Sequence, residues 1–304
     1  MKPMTALGVA ITAATAALLV FGYSRALKRQ PFAVYGWLGF VALACAEWMV
    51  FYRVEPVWTY FTPIAWSAYI LIADAAVLAL TGRSRLKDAP ITLAGIALLS
   101  IPLWLIFEGY NLRLHNWTYV GVPHGWTAIV FGYGWSFATI WPAIFETSDL
   151  VQALLPPLPS KVFNFSRLAD NVLIVVGAIC LILPLALPLH VAARLFALVW
   201  IGFVFLLDPL NRRLSRPSFI GDLSEGYRRR FYGFLISGWI CGWFWEFWNY
   251  WAGAKWHYTF PMFQDIKIFE MPAPGFLGFL PFALECFTMY VTAVGLIGWI
   301  KRVR

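Results

Sequence analysis

The chain has 304 residues, 61% of them apolar and only 12% charged, with a formal net charge of +8. An average soluble domain is about 45–50% apolar and about 25% charged, so a single water-soluble core is excluded. The positive charge gathers at Arg25–Arg29, Arg83–Lys87, Lys161–Arg167, Arg212–Arg230 and the tail Lys301–Arg304, in every second segment between apolar runs. That alternation is the positive-inside pattern of a membrane protein and argues against a nucleic-acid partner.

A helix needs roughly 20 apolar residues to cross about 30 Å of hydrocarbon. By that measure the sequence predicts an all-α polytopic membrane protein of about nine transmembrane helices, at 5–24, 33–52, 61–81, 90–107, 133–154, 170–188, 191–210, 231–251 and 279–300. The first run follows Lys2 and precedes Arg25, Lys28 and Arg29, which reads as a retained helix with its N-terminus outside. Nine spans then put every basic segment and the C-terminus on the cytoplasmic face of the cell membrane. The outer face receives 52–61, 108–132 and 252–278, rich in Trp, Tyr, Pro and carboxylates. Function is expected there. Cys45, Cys180, Cys241 and Cys286 lie in or beside apolar runs without ligand-like spacing and read as free, buried thiols. Asp208 and Pro209 read as the end of the seventh span.

Two of the outer segments share a grammar of E-x-x-N, then W-x-Y, then Pro, then P-x-x-x-E. The first copy has Glu108, Asn111, Trp117, Tyr119, Pro123, Pro142 and Glu146; the second, about 138 residues on, has Glu246, Asn249, Trp256, Tyr258, Pro261, Pro281 and Glu285. Chance in an aromatic-rich chain rarely matches seven positions, so the expectation is a parallel duplication of a three-helix unit. Residues 1–60 are then two additional helices, 61–155 the first copy, 156–190 a linker with one helix, and 191–304 the second copy. A fainter echo runs through Glu47, Trp58, Tyr60 and Pro63 without the Asn or the later acid.

Glu and Asn three apart share a helix face, and Pro142 and Pro281 suit the first turn of helices entering the membrane. Each copy is therefore expected to aim two carboxylates at one outer cavity. Ionisable groups inside hydrocarbon face cavities or partners, which singles out Glu146, Glu285 and Asp74; a helix-packing role is the alternative for each. The run from Trp243 through Trp245 and Trp248 to Trp256 and Tyr258 fits an interfacial belt, but aromatic faces beside an acid also suit the holding of a cation. His115, His124, His190 and His257 form no metal-ligand set, and no nucleotide, serine-hydrolase or zinc-protease motif occurs. No cofactor or metal is expected.

With W-x-Y, Pro and acid in tandem, the chain resembles the small membrane-embedded lycopene cyclases of bacteria and fungi over about residues 61–300. Trp117, Tyr119, Pro142 and Glu146 match one domain of that family, and Trp256, Tyr258, Pro281 and Glu285 the other. The family's acids stand two and three residues after Pro, whereas here one Glu stands four after it. The resemblance implies a cofactor-independent, proton-initiated cyclisation of a hydrophobic isoprenoid. Glu285 or Glu146 would donate the proton, Glu246 or Glu108 would accept one, and Asn249 or Asn111 would orient the acceptor. Trp117, Tyr119, Trp245, Trp248, Trp256 and Tyr258 would line the substrate. A transporter or lipid- or pigment-binding protein, and a structural subunit of a membrane complex, are the readings from other classes.

Overall fold

Every one of the nine apolar runs contains a helix in the computed structural model, which describes residues 3–303; Lys2 and Arg304 lie outside the described residues. In chain order the helices are α1 (Pro3–Arg25), α2 (Val34–Phe51), α3 (Phe61–Thr81), α4 (Arg85–Asp88), α5 (Pro90–Leu114), α6 (Trp126–Leu154) and α7 (Arg167–Ala186). They continue with α8 (Leu189–Ala192), α9 (Val199–Arg213), α10 (Phe219–Ser224), α11 (Arg229–Trp251) and α12 (Phe279–Val303), the last preceded by a 3-10 turn at Ala273–Gly278. Four short strands, β1 (Trp117–Val120), β2 (Lys255–Tyr258), β3 (Lys267–Ile268) and β4 (Met271–Pro272), form two antiparallel pairs, β1 with β2 and β3 with β4.

Among the described residues seven helices are long and apolar enough to span a membrane: α1, α2, α3, α5, α6, α7 and the last turn-plus-helix. The chain is thus a multi-pass helical membrane protein. Two of the nine expected spans fall short, for different reasons. The expected 191–210 span is broken into α8, a 3-10 turn and the 15-residue α9. The helix α11 is 23 residues long, but its Trp, Tyr, Glu and Asn content lowers its hydropathy. Its residues from Ile240 to Glu246, and then Trp248 and Asn249, are buried, so protein rather than lipid surrounds them and strong apolarity is not required.

Helix faces meet through small and polar side chains, as close packing in membranes demands. A Cβ on Gly238 of α11 would stand 2.1 Å from the Phe279 carbonyl oxygen of α12. The Trp141 indole of α6 donates to the Cys286 carbonyl of α12 at 2.7 Å, and Tyr69 of α3 meets the Thr147 hydroxyl of α6 at 2.8 Å. Cys180, Cys241 and Cys286 are buried free thiols as expected, but Cys45 is exposed. It faces outward because α2 packs chiefly through one face, on α3.

The end of the bundle away from β1 and β2 holds a second pair of matching arrangements. In the first half, Ser84 caps α4 by accepting from Lys87 N at 3.3 Å, and the Asp74 carboxylate accepts from Leu86 N at 2.8 Å and from the Tyr35 hydroxyl at 2.6 Å. In the second half, Ser218 caps α10 by accepting from Gly221 N at 2.9 Å, and Asp208 accepts from Phe219 N and Ile220 N, both at 2.8 Å. Asp74, Ser84, Leu86 and Asp88 correspond one by one, at constant offset, to Asp208, Ser218, Ile220 and Asp222. Asp208, expected merely to end a span, reinforces the Ser218 cap of α10 by satisfying two further donors that would otherwise be orphaned.

Candidate functional site: an aromatic cavity under a strand pair

The E-x-x-N spacing acquires its reason at the other end. Asn249, fully buried near the end of α11, donates to the Trp256 carbonyl at 2.9 Å and accepts from Trp256 N at 2.9 Å. Asn111 does the same for Trp117, donating to its carbonyl at 3.0 Å and accepting from its N–H at 3.1 Å and from Asn116 N at 2.8 Å. Each Asn therefore clamps the strand that follows its own helix. The clamped strands pair antiparallel, with Trp117 opposite Tyr258 and Tyr119 opposite Trp256. Gly121, at φ +68, lets the chain leave β1 hard against the Gly253 backbone, where a Cβ would fall 2.1 Å from its oxygen.

The glutamates one turn earlier reach the same strands. Glu108 Oε1 accepts from the Tyr119 hydroxyl at 2.5 Å, the Trp104 indole at 2.9 Å and the Trp117 indole at 3.3 Å. Glu246 Oε1 accepts from the Tyr258 hydroxyl at 2.8 Å, while the Trp256 indole donates to Tyr258 instead, at 2.9 Å. The other Glu246 oxygen is buried and unpartnered. Burial, and then the adjoining glutamate, hold the Tyr119 and Tyr258 hydroxyls well above the ordinary phenol range, so both remain protonated donors.

Beneath this roof lies a cavity of about 440 Å³, within the range of small-molecule sites. Its walls carry six indoles, those of Trp66, Trp104, Trp117, Trp200, Trp245 and Trp256, with Tyr119, Tyr133, Tyr258 and Phe282 among the remaining rings. The rings form a continuous lattice: Trp104 lies 5.9 Å from Trp245 and 6.0 Å from Phe282, and Trp200 lies 5.3 Å from Phe282, centroid to centroid. Polar groups on the wall are few. Thr62 Oγ1 and Asn116 Oδ1 are buried there without a hydrogen-bond partner. Lys255 lines the cavity too, but its ammonium is engaged with the Tyr250 carbonyl at 2.6 Å and Glu270 at 3.9 Å.

The expected convergence of two carboxylates per copy on this cavity does not occur. Glu108 and Glu246 stand behind the tyrosines, and neither lines the cavity. Glu285, fully buried, accepts from Phe203 N at 3.1 Å and sits one turn from Pro281 and Phe282, which do line it. Glu146 is elsewhere. It is fully buried beside Arg85, 3.6 Å from the guanidinium, which also holds Asp149 at 2.7 Å. The cause is the start of α6 at Trp126, which leaves Pro142 inside the helix rather than in its first turn. Glu146 is then roughly 30 Å along the axis from the strand end at 1.5 Å per residue. Pro281, third in α12, does occupy a first turn.

Of the aromatics singled out from sequence, Trp117, Tyr119, Trp245, Trp256 and Tyr258 line the cavity. Trp248 does not; its indole donates to Glu47 at 2.8 Å and its ring meets Trp66 at 4.8 Å. Glu47 therefore serves α11 rather than Tyr60, so the faint third echo makes no matching contact. Sequence reasoning missed Trp66, Trp104, Trp200, Thr62 and Asn116. Trp104 alone carried a signal, standing four residues before Glu108 on one helix face. Among the described residues no group of three or more His, Cys, Asp or Glu is placed to hold a metal ion.

A multi-pass helical bundle with an aromatic cavity roofed by two paired W-x-Y strands is the class that fold and site define. No family model matches the chain, no curated protein matches it, and no solved structure matches it.

Proposed function

We propose that the chain is an integral-membrane enzyme that takes the end of a hydrophobic isoprenoid into the aromatic cavity and transforms it by proton-initiated, cofactor-independent carbocation chemistry, in the manner of the lycopene cyclases it resembles. The carrying observation is the cavity wall itself, six indoles with two tyrosine hydroxyls tied to glutamates behind them. Indole faces within about 6 Å attract a cation, and a low-dielectric cavity strengthens that attraction. In this reading Glu285 gives its proton to an alkene carbon. The π pair forms the new C–H bond and leaves a cation, which the π pair of a second double bond in the same chain attacks to form the ring's C–C bond, moving the cation to a neighbouring carbon over the indoles. Loss of a neighbouring C–H proton to Glu246 or Glu108, through Tyr258 or Tyr119, restores a double bond.

The proposal also includes an ancestral duplication of the units α3–α6 and α9–α12, supported by matching Asn clamps, matching Tyr–Glu pairs and matching Asp caps. It places nine spans in the cell membrane, N-terminus outside and C-terminus cytoplasmic, with α9 and α11 crossing inside a sheath of protein. A second reading, a lipid- or pigment-binding protein, is favoured by one observation: no carboxylate lines the cavity. Mass spectrometry of lipids extracted from the purified protein, followed by incubation of its membranes with an isoprenoid panel, separates the two. A co-purifying isoprenoid and a cyclised product support the enzyme; a bound isoprenoid never transformed supports the binding protein. Absence of both an isoprenoid ligand and a product defeats the enzyme, and absence of any bound lipid or pigment defeats the binding protein.

A further inference from the structure

The two halves of the cavity differ in where their indole N–H groups go. In the first half the Trp104 and Trp117 indoles both donate to Glu108 Oε1, at 2.9 and 3.3 Å, and both rings line the cavity with their centroids 6.1 Å apart. The third donor to that oxygen is the Tyr119 hydroxyl. All three donors are neutral, and among the described residues no Lys, Arg or His forms an ion pair with Glu108. Its negative charge is therefore not cancelled. The second half lacks this arrangement. Its Trp256 indole donates to the Tyr258 hydroxyl at 2.9 Å rather than to a carboxylate, and Glu246 takes only the Tyr258 donor. Gly242, packed against the Phe279 ring, stands four residues before Glu246, the place that Trp104 holds before Glu108.

Resting on the isoprenoid reading above, we infer that the cavity holds a cationic group on its first-half side, over the Trp104 and Trp117 rings, with ionised Glu108 as the anion behind them. An aromatic face attracts a cation through its quadrupole. An N–H that donates to an anion returns electron density to its ring, since hydrogen-bonded groups in a low dielectric polarise one another, and this sets these two indoles apart from Trp256. The carboxylate adds a direct attraction, strengthened by the low dielectric of the cavity. Lys255, the charged residue on the wall, is engaged with the Tyr250 carbonyl and Glu270, so it does not compete for Glu108. Glu108 touches no ligand and acts through the two indoles as a positioning residue. The carbocation of the proposed reaction is thus held against the first-half wall, and the same chemistry selects other compact cations, a quaternary ammonium included.

The test is binding to the intact protein in a non-ionic detergent, read by tryptophan fluorescence, with two ligands of one shape: a prenyl chain ending in trimethylammonium and the same chain ending in tert-butyl. Neither needs turnover. The ratio of ammonium to neutral affinity is expected to fall roughly tenfold in Glu108→Gln. Trp104→Phe, which keeps an aromatic ring and loses only the indole and its N–H, is expected to lower the ratio in the same direction and carries the test should Glu108→Gln not fold. Binding of the neutral chain by each variant reports that its cavity is intact. An unchanged ratio in a folded variant of either kind overturns the inference and leaves the isoprenoid reading standing. A larger fall in Glu246→Gln than in Glu108→Gln overturns it too, by moving the cation to the second half. Failure of both ligands to bind the parent protein overturns the isoprenoid reading and this inference with it.

Discussion

In α5 three donors converge on one oxygen of Glu108, whereas in α11 one donor reaches Glu246 and its second oxygen is orphaned. Substitution by Gln distinguishes the two. Glu108→Gln weakens three charge-assisted hydrogen bonds and is expected to lower stability by about 2 kcal/mol. Glu246→Gln gives the unpartnered side an amide of the same shape and costs less, about 0.5 kcal/mol. Thermal unfolding of the two variants in one detergent checks the order, and equal losses contradict it. Glu285 is tested by activity instead. Glu285→Gln keeps the shape and is expected to leave stability unchanged but to abolish product formation, because an amide cannot supply the proton. Full activity in the Gln variant removes Glu285 from the mechanism, and lost stability without lost turnover assigns it to helix packing.

Among the elements, α10 shows how a short helix is fastened. Asp208 is 2% exposed and takes both Phe219 N and Ile220 N. Asp208→Ala is expected to cost about 2 kcal/mol by leaving two buried donors unpaired, and the loss should appear as deprotection of the Phe219 and Ile220 amides in hydrogen exchange. Protection unchanged from the parent contradicts the assignment. The same elements show what a sequence discloses. The Glu, Asn, Trp and Tyr of each copy were legible because their contacts are local, helix end to following strand. The pairing of β1 with β2 was not, since no periodicity joins segments so distant. Pro142 misled for a physical reason: neighbouring helices tolerate a mid-helix proline in an apolar setting, so the residue did not mark a helix start. Asp74 and Asp208 were visible only as isolated charges; their bonds to short capped helices give them meaning.

At the scale of the whole molecule, the charge pattern and apolar runs gave the membrane bundle, but the cavity was illegible because its wall draws on six helices scattered along the chain, α3, α5, α6, α9, α11 and α12. Trp66, Trp104, Trp200 and Trp245 lie on α3, α5, α9 and α11, and only packing unites them. The topology is checked by single cysteines at exposed Ser215 and Thr118 in a background lacking the native thiols. An impermeant maleimide applied to intact cells is expected to label Thr118→Cys and spare Ser215→Cys; the reverse labelling inverts the orientation.

The roof joining β1 to β2 also sets an order of events during synthesis. Its two strands come from opposite halves of the chain, so the first half must enter the bilayer and wait, with Trp104, Trp117 and Tyr119 lacking their later neighbours, until α11 and β2 emerge. Pairing segments so distant in sequence makes the step slow. The aromatic cavity therefore comes into being only with the last helices, and a ribosome stalled before them leaves a membrane-inserted fragment with half a wall and no enclosure.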